Sequence, residues 1–122
     1  MNPLQVLYDS VKHRIEIPFD VFAESLKDWK TTGLYEKGEL IGCVIQKVNE
    51  VHIGYKVKPK SSIRKHLKET LKKVIDEYGY AVTYVAEENF EGLKFCKRLG
   101  FYELNKESSK IKLKCDRCKY AN

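Results

Sequence analysis

The sequence lacks the features that mark membrane, secreted, repetitive or disordered proteins. No apolar run approaches the roughly 20 residues that a membrane-spanning helix needs. There is no internal repeat, no low-complexity segment and no linker, and the N-terminus has no basic stretch followed by an apolar block. We therefore expect a chain without a membrane span or signal peptide, located in the cytoplasm with its thiols reduced.

Cysteine is too sparse to predict a metal site. The four cysteines are Cys43, Cys96, Cys115 and Cys118. Only the last two form a CxxC pair, and a structural zinc site usually needs a second pair. Because the other two fall inside a predicted strand and a predicted helix, we expect no metal and interpret the CxxC as a thiol pair in a surface tail.

The composition is that of one ordered, soluble domain. The 122 residues are 43% hydrophobic, which is enough to bury a core, and too few for two domains of ordinary size. The net charge of +6 comes from one segment, because residues 56–73 hold eight cations and one acid (8 − 1 = +7), leaving −1 for all other residues. This localised charge is informative about partners. The cations are Lys56, Lys58, Lys60, Arg64, Lys65, Lys68, Lys72 and Lys73.

The N-terminal third predicts short helices. Asn2 followed by Pro3 is typical of a helix start and predicts a helix over 3–11. Residues 14–17 predict a short strand. Asp20 is a candidate cap for a second helix, and the helical spacing of its apolar side chains predicts an inward face. Those side chains are Phe22, Leu26 and Trp29.

From Thr32 the apolar pattern changes to the period of two that is typical of strands. Residues 32–36 and 39–48 predict two strands joined by a tight turn at Lys37-Gly38. A second turn at Asn49-Glu50 leads to a third strand over 51–57. Three consecutive strands with tight turns predict an antiparallel meander.

The second half alternates helices and strands. After Pro59, a serine cap predicts a helix that runs to about Tyr78 and stops at Gly79. Its predicted inward stripe comprises Ile63, Leu67, Leu71, Val74, Ile75 and Tyr78.

Residues 81–85 predict a buried strand of the kind found in parallel crossovers. Asn89 predicts the cap of a helix that ends at Gly100, with Leu93 and Phe95 or Cys96 inward. Residues 102–104 and 110–114 predict a hairpin around Ser108-Ser109. The order predicts an α+β fold in which helices pack on a mixed sheet around a β-α-β crossover.

Two motifs in this order resemble the GNAT N-acyltransferases. The first is the strand and its exit, residues 53–59, which read Ile-Gly-Tyr-Lys-Val-Lys-Pro before a helix. The second has the spacing that the family shows as Asn, Ala, Tyr and Gly-Phe, and here it comprises Asn89, Gly92, Cys96, Gly100 and Phe101. Together the motifs and the strands between them cover residues 32–114.

The resemblance implies a GNAT-like fold over residues 1–122, with a shortened N-terminal third. It implies a twisted, mostly antiparallel sheet with helices on both faces. It also implies acetyl-CoA between the strands near 51–57 and 81–86, with its carbonyl held by backbone N–H groups of Tyr55, Lys56 and Val57 and attacked directly by an amine. Asn89 is a candidate cofactor contact, although an N-cap role alone accounts for it.

The cofactor's diphosphate loop departs from the family pattern. The family places glycines between the proline and the helix, so that backbone N–H groups reach the phosphates. No glycine occurs here, and side chains would crowd that approach. Two interpretations remain: the side chains themselves hold a diphosphate, or they form a solvated basic face. The residues concerned are Lys60, Ser61, Ser62, Arg64 and Lys65.

The catalytic positions depart as well. In many family members a tyrosine in the later helix protonates the departing CoA thiolate, and Cys96 occupies that position here. A thiol is a possible acid, but a buried structural cysteine is the alternative. Glu50 and His52 are candidate general bases, although His52 could instead face solvent. Whether the chain is catalytically active stays open at this point.

Two further functions stay open. The glycine-free loop and the basic helix are also similar to a small group of tailed-phage proteins, the GNAT-like internal virion protein A, over about residues 57–104. That resemblance implies assembly with phage or host proteins in the virion or host cytoplasm. Nucleic-acid binding through the basic helix is a third possibility, but no aromatic residues are interleaved with those cations, so we do not expect it.

Overall fold

The computed structural model describes residues 2–13, 15–55 and 64–116, and of residues 64–66 and 68 the backbone only. The chain divides into two compact units. The first comprises Met1–Lys47 and His52–Ser62, and the second comprises Val48–Val51 and Ile63–Asn122. The single domain expected over 1–122 stays a prediction.

Helices α1 (Pro3–Val11) and α2 (Phe19–Ser25) begin the first unit. The Asn2 side chain accepts a hydrogen bond from the Leu4 backbone N–H at 2.8 Å, so α1 starts where the sequence predicts. The start of α2 differs from the prediction, because Pro18 is its N-cap and Asp20 lies in its first turn.

The strand predicted over 14–17 is wrong, since residues 15–17 are not in a strand. Pro18 has no N–H to donate to a neighbouring strand, so it ends any extended run at this point. The backbone is held by a side chain instead, because the Tyr8 hydroxyl donates to the Ile17 carbonyl at 2.7 Å.

Strands β1 (Lys30–Glu36) and β2 (Glu39–Lys47) form the predicted antiparallel hairpin. Lys37 and Gly38 have φ angles of 51° and 82°, as a tight hairpin turn requires. The next turn lies one residue earlier than predicted. It is formed by Val48 and Asn49, and β3 (Glu50–Tyr55) begins at Glu50.

The core of the first unit lies between its helices and its hairpin. Leu7 of α1 packs with Cys43 and Ile45 of β2, and half-buried side chains cover this cluster. The predicted inward orientation of three of those side chains is confirmed, although α2 ends before two of them. The covering side chains are Leu4, Phe22, Leu26 and Trp29.

The second unit begins with α3 (Arg64–Tyr78) and β4 (Ala81–Ala86). Leu67, Leu71 and Val74 are buried, as predicted. Tyr78 is 39% exposed, so its assignment to the inward stripe is wrong. The chain turns away there, because Gly79 adopts a φ of 88° and its N–H caps the Ile75 carbonyl.

The rest of the second unit comprises α4 (Phe90–Leu99), β5 (Tyr102–Glu107) and β6 (Lys110–Cys115). The turn at residues 108–109 is the predicted one, but β5 is three residues longer than predicted. The β4–β6 and β5–β6 pairs are antiparallel, whereas β3 and β4 pair in parallel. The strand order of the sheet is β1-β2-β3-β4-β6-β5, which confirms a mixed, mostly antiparallel sheet with a β-α-β crossover.

Within the described ranges, no helix combines the length and the apolar character that a bilayer crossing requires.

Candidate functional site

The start of α4 is built around Asn89. Its side-chain oxygen accepts a hydrogen bond from the Gly92 N–H at 3.1 Å, which caps the helix. A Cβ atom at Gly92 would lie 2.5 Å from the Asn89 side-chain nitrogen, so glycine is the residue that leaves room for this cap. The cap uses the amide oxygen of Asn89. Its NH₂ group takes no part in this capping hydrogen bond.

The other end of α4 is fixed by Gly100. This residue has a φ of 112°, a backbone conformation that side chains disfavour. Phe101 then donates its N–H to the Cys96 carbonyl at 3.0 Å, and its ring is buried. A Lys97–Glu103 ion pair at 2.6 Å joins α4 to β5. The family-like spacing from Asn89 to Phe101 therefore specifies one capped and anchored helix.

Cys96 lies on the buried face of α4 with Leu93 and Leu99. Burial, and secondarily the nearby Cys115 thiol, raises the pKa of Cys96 from 9.0 to about 12. The thiol is therefore protonated at neutral pH and is a weaker acid than an ordinary cysteine. These properties favour the structural interpretation of Cys96 over the general-acid interpretation.

The two candidate bases lie on β3. Glu50 is half-buried at the first position of the strand, opposite Val82 of β4. The adjacent Asn49 carbonyl accepts the Val82 N–H at 2.8 Å, so this end of β3 is held firmly. His52 is half-buried, and its ring lies 5.6 Å from the Trp29 ring with a tilt of 54°. His52 therefore packs against an aromatic ring, a contact that the sequence alone did not predict.

The segment that we expect to bind the thioester carbonyl, residues 55–57, begins next to a closely packed part of β3. A Cβ atom at Gly42 would lie 2.7 Å from the Gly54 carbonyl oxygen, so the β2 and β3 backbones approach closely there. Tyr55 comes next and is half-buried. The remaining predicted cofactor residues Lys56, Val57, Lys60, Ser61 and Ser62 lie outside the described residues.

The start of α3 suits an anion. Arg64 and Lys65 are its first two residues, and its first turn contains no acid. The N-terminus of a helix carries a partial positive charge, to which two side-chain cations add rather than subtract. The diphosphate of CoA is a ligand of the opposite sign, so Arg64 and Lys65 match that group in charge.

The structure places the predicted residues that it describes on three separate elements. Asn89 and Cys96 share α4, about two helical turns apart. Glu50 and His52 share β3, and Arg64 and Lys65 share the first turn of α3. Sequence reasoning missed Thr83, the one polar side chain that is buried among the described residues, at 5% exposure. Its signal was the one aliphatic hydroxyl in the otherwise apolar and aromatic run of β4.

Side chains that could bind a metal do not cluster here. No group of three or more His, Cys, Asp or Glu residues within the described part of the chain is arranged to hold a metal ion.

Comparison with known proteins identifies the fold. No protein-family model and no curated protein sequence matches the chain. Solved structures do match: a point variant of spermidine N-acetyltransferase SpeG from Vibrio cholerae superposes with a TM-score of 0.73 at 17% identity, covering 98% of this chain and 92% of that one. The fold is that of the GNAT acetyltransferases.

Two further structures support this assignment. A GNAT family acetyltransferase from Elizabethkingia anophelis with acetyl-CoA bound has a TM-score of 0.68 at 14% identity, covering 94% of this chain and 90% of that one. The ribosomal-protein-S18-alanine N-acetyltransferase from Escherichia coli has a TM-score of 0.65 at 14% identity, with coverages of 92% and 86%. The superpositions show a shared GNAT fold. At identities this low they do not show the activity, which must be argued from the residues.

Proposed function

We propose that this protein is an N-acyltransferase that transfers an acetyl group from acetyl-CoA to an amine. The observation that carries the proposal is the GNAT fold, matched over more than nine-tenths of the chain by acetyltransferase structures. A fold is not a function by itself. Two features of this chain's own residues support the proposal. These are the cations at the start of α3 and Asn89, the N-cap of α4.

Each group has a role in this proposal. Arg64 and Lys65, with the side chains of 60–62, hold the diphosphate in place of the family's loop glycines. The NH₂ group of Asn89 donates to the pantetheine arm. Backbone N–H groups at 55–57 donate to the thioester carbonyl and stabilise the negative charge that develops on its oxygen.

Acetyl-CoA supplies an activated acyl group, and the protein's residues manage the protons. The amine nitrogen forms a bond to the carbonyl carbon, the C–S bond breaks, and the sulfur leaves as a thiolate. Glu50 or His52 accepts the proton that the amine loses. Because burial raises the pKa of Cys96 to about 12, transfer of its proton to a thiolate of ordinary pKa is uphill, so we assign the proton that the thiolate takes up to solvent.

Titration with acetyl-CoA tests the binding step. We expect measurable heat by calorimetry and a rise in Tm, since a ligand that binds only the folded state stabilises it. Release of free CoA thiol in the presence of polyamines or peptide N-termini then tests turnover. The absence of both heat and a shift in Tm, at a ligand concentration far above that of the protein, would rule out the acyltransferase.

A second candidate function is a GNAT-like protein that has lost catalysis and acts by binding partners, as in virion assembly. The observation that favours it is the burial of Cys96 where the family has a tyrosine acid. Replacing Cys96→Tyr separates the two candidates. If the other catalytic and binding residues are functional, the variant should turn over acetyl-CoA faster than the wild type.

The buried position makes a folding control necessary. A tyrosine ring at Cys96 overpacks the core at a cost of about 1–3 kcal/mol, so the variant's circular dichroism must match the wild type. Acetyl-CoA binding without turnover in both folded forms would favour the binding protein.

A further inference from the structure

The three strands β4, β6 and β5 present two chemically different faces. On one face, Ala81 lies opposite Cys115 and Thr83 lies opposite Leu113, and all four are buried. Side chains alternate along a strand, so the neighbouring positions point the other way. That second face carries the apolar Val82 and Ala86 and a set of tyrosines and lysines that we call the tyrosine–lysine face: Tyr80, Tyr84, Tyr102, Lys110, Lys112 and Lys114.

The register of the strands brings these residues together. Lys110, Lys112 and Lys114 occupy alternate positions of β6, the central strand of the three. Tyr102 of β5 lies opposite Lys114 on one side, and Tyr84 of β4 lies opposite Lys112 on the other. A row of cations thus runs between aromatic rings on both flanks.

The tyrosine–lysine face is accessible. Tyr80 is 38% exposed, Tyr102 is 43% exposed and Lys110 is exposed, while the other three residues are half-buried. The Lys114 ammonium lies 4.7 Å from the centre of the Tyr80 ring, and the Lys112 ammonium lies 5.8 Å from the centre of the Tyr84 ring. Such contacts are weak at exposed sites, so a ligand that offers both an anion and a flat ring can replace them.

Acidic groups border the row of cations. Glu107 lies opposite Lys110, and Asp116 accepts a hydrogen bond from the Tyr102 hydroxyl at 3.1 Å. Glu50 lies opposite Val82, on the strand beyond β4. The middle of the row, at Lys112, is therefore its most positive part, with Glu107 beside Lys110 at one end and Asp116 beyond Lys114 at the other.

We propose that the tyrosine–lysine face binds single-stranded nucleic acid. Lysine ammonium groups that repeat every two residues along a strand can contact successive phosphates. Tyrosine rings on the flanking strands offer planar surfaces on which unpaired bases stack. An acidic peptide would use the lysines but would leave the rings without planar partners, and a duplex keeps its bases stacked inside, away from the rings.

This surface differs from the one that the sequence draws attention to. The cations of α3 lack interleaved aromatic residues, which argues against nucleic-acid binding by that helix. The sheet places Tyr102 opposite Lys114, Tyr84 opposite Lys112 and Tyr80 beside Lys114, and these pairs lie 12, 28 and 34 positions apart in the sequence. The proposal is independent of acyl transfer.

Fluorescence anisotropy with a labelled oligo-uridine probe, titrated with the full chain, tests the proposal. We expect binding at low salt, and log K should fall with log[salt] with a slope of about −2, since three neutralised phosphates give about −0.7 each for single strands. Lys112→Glu with Lys114→Glu should weaken binding at least tenfold. Lys72→Glu with Lys73→Glu, an equal charge change on exposed residues of α3, should weaken it less than threefold.

Stacking is tested separately from charge. Tyr102→Leu should weaken binding about tenfold with an unchanged salt slope, whereas Tyr102→Phe, which keeps the ring, should bind as the wild type does. Circular dichroism confirms folding of each variant. In the wild type, ultraviolet crosslinking to the probe should map to Tyr80, Tyr84 or Tyr102, which tests the proposal without any substitution.

Several outcomes would overturn the proposal. These are absence of binding at low salt, equal losses in the two charge-reversed pairs, or crosslinks that map elsewhere. Binding of duplex DNA or polyglutamate as tightly as the oligo-uridine would indicate a general polyanion surface and would equally overturn it.

Discussion

Helices α4 and α3 of the second unit have opposite charge arrangements. In α4, Glu91 lies in the first turn and Lys97 and Arg98 lie in the last, as the helix dipole favours. In α3 the order is reversed, with Arg64 and Lys65 at the start and Asp76 and Glu77 in the last turn. Each charge at the wrong end costs a few tenths to about 1 kcal/mol.

The difference shows what stabilises each helix. The ends of α4 are satisfied locally, by the Asn89 cap and by the left-handed Gly100. The charges of α3 oppose its dipole, so its stability must come from the buried stripe of Leu67, Leu71 and Val74. A charge arrangement that folding disfavours is consistent with a ligand-binding role for the first turn of α3.

The largest expected effect is the loss of that buried stripe. Leu71 is 1% exposed, and Leu71→Ala should lower the free energy of unfolding by about 2–5 kcal/mol, because the methyl groups leave a cavity. Glu69→Ala, on the exposed side of the same helix, should change it by less than about 0.5 kcal/mol. Urea denaturation measures both. Similar effects for the two variants would contradict the dependence of α3 on burial.

The cap of α4 should show coupling between two residues. Asn89→Ala should cost about 1 kcal/mol. Gly92→Ala, which alone would favour a helix by up to about 1 kcal/mol, should instead destabilise, because its Cβ meets the Asn89 side chain. In the double variant the clash is absent, so the alanine that replaces Gly92 should stabilise α4. A double-mutant cycle by thermal unfolding measures the coupling, and strictly additive effects would show that the cap does not require glycine.

Local signals predicted most of the fold. Turn residues such as Lys37-Gly38 and caps such as Asn2 and Asn89 act through neighbouring backbone atoms, so their effect is readable from a short stretch of sequence. The errors arose where tertiary context decides. Residues 15–17 have strand-like composition but no partner strand, and Tyr78 continues a helical period past the end of the core.

The candidate site was less predictable than the fold. Asn89 was identified because its cap is local. The Trp29–His52 ring contact and the opposition of Tyr84 to Lys112 depend on pairs that lie far apart in the sequence, and no short pattern specifies them. Cys96 illustrates the same limit, since its position in a motif suggests an acid and only its burial shows how strongly it holds its proton.

The buried thiol of α4 predicts a pH dependence. The unfolded chain releases the Cys96 proton near its ordinary pKa of 9.0, whereas the folded chain holds it to about 12. Raising the pH through this window therefore favours unfolding, by about 1.4 kcal/mol per pH unit for this group. We expect Cys96→Ala to be less stable than the wild type at pH 8, and the difference in the free energy of unfolding should narrow by about 1 kcal/mol at pH 10. Urea denaturation at both pH values measures it, and a constant gap would show that the thiol is not desolvated.

The smallest change in stability, and the most informative about function, is expected from reversing the charges of α3. Arg64→Glu with Lys65→Glu should raise the free energy of unfolding by a few tenths of a kcal/mol, because acids at a helix start suit the dipole. Asp76→Lys with Glu77→Lys should raise it similarly at the other end. Each variant reverses two charges of α3, and each is expected to raise the free energy of unfolding.

Ligand binding should separate the matched pair. We expect acetyl-CoA affinity, measured by calorimetry, to fall at least tenfold in Arg64→Glu with Lys65→Glu and to stay within about threefold of the wild type in Asp76→Lys with Glu77→Lys, since an exposed charge more than a Debye length of about 10 Å from the anion is largely screened. The 15 residues of α3 span about 22 Å at 1.5 Å per residue, so the far end satisfies that condition. If affinity falls in the first variant and rises by a similar factor in the second, the cations act through net charge alone. If neither loses affinity while the first is destabilised, Arg64 and Lys65 are structural, and the unfavourable start of α3 needs an explanation other than a bound diphosphate.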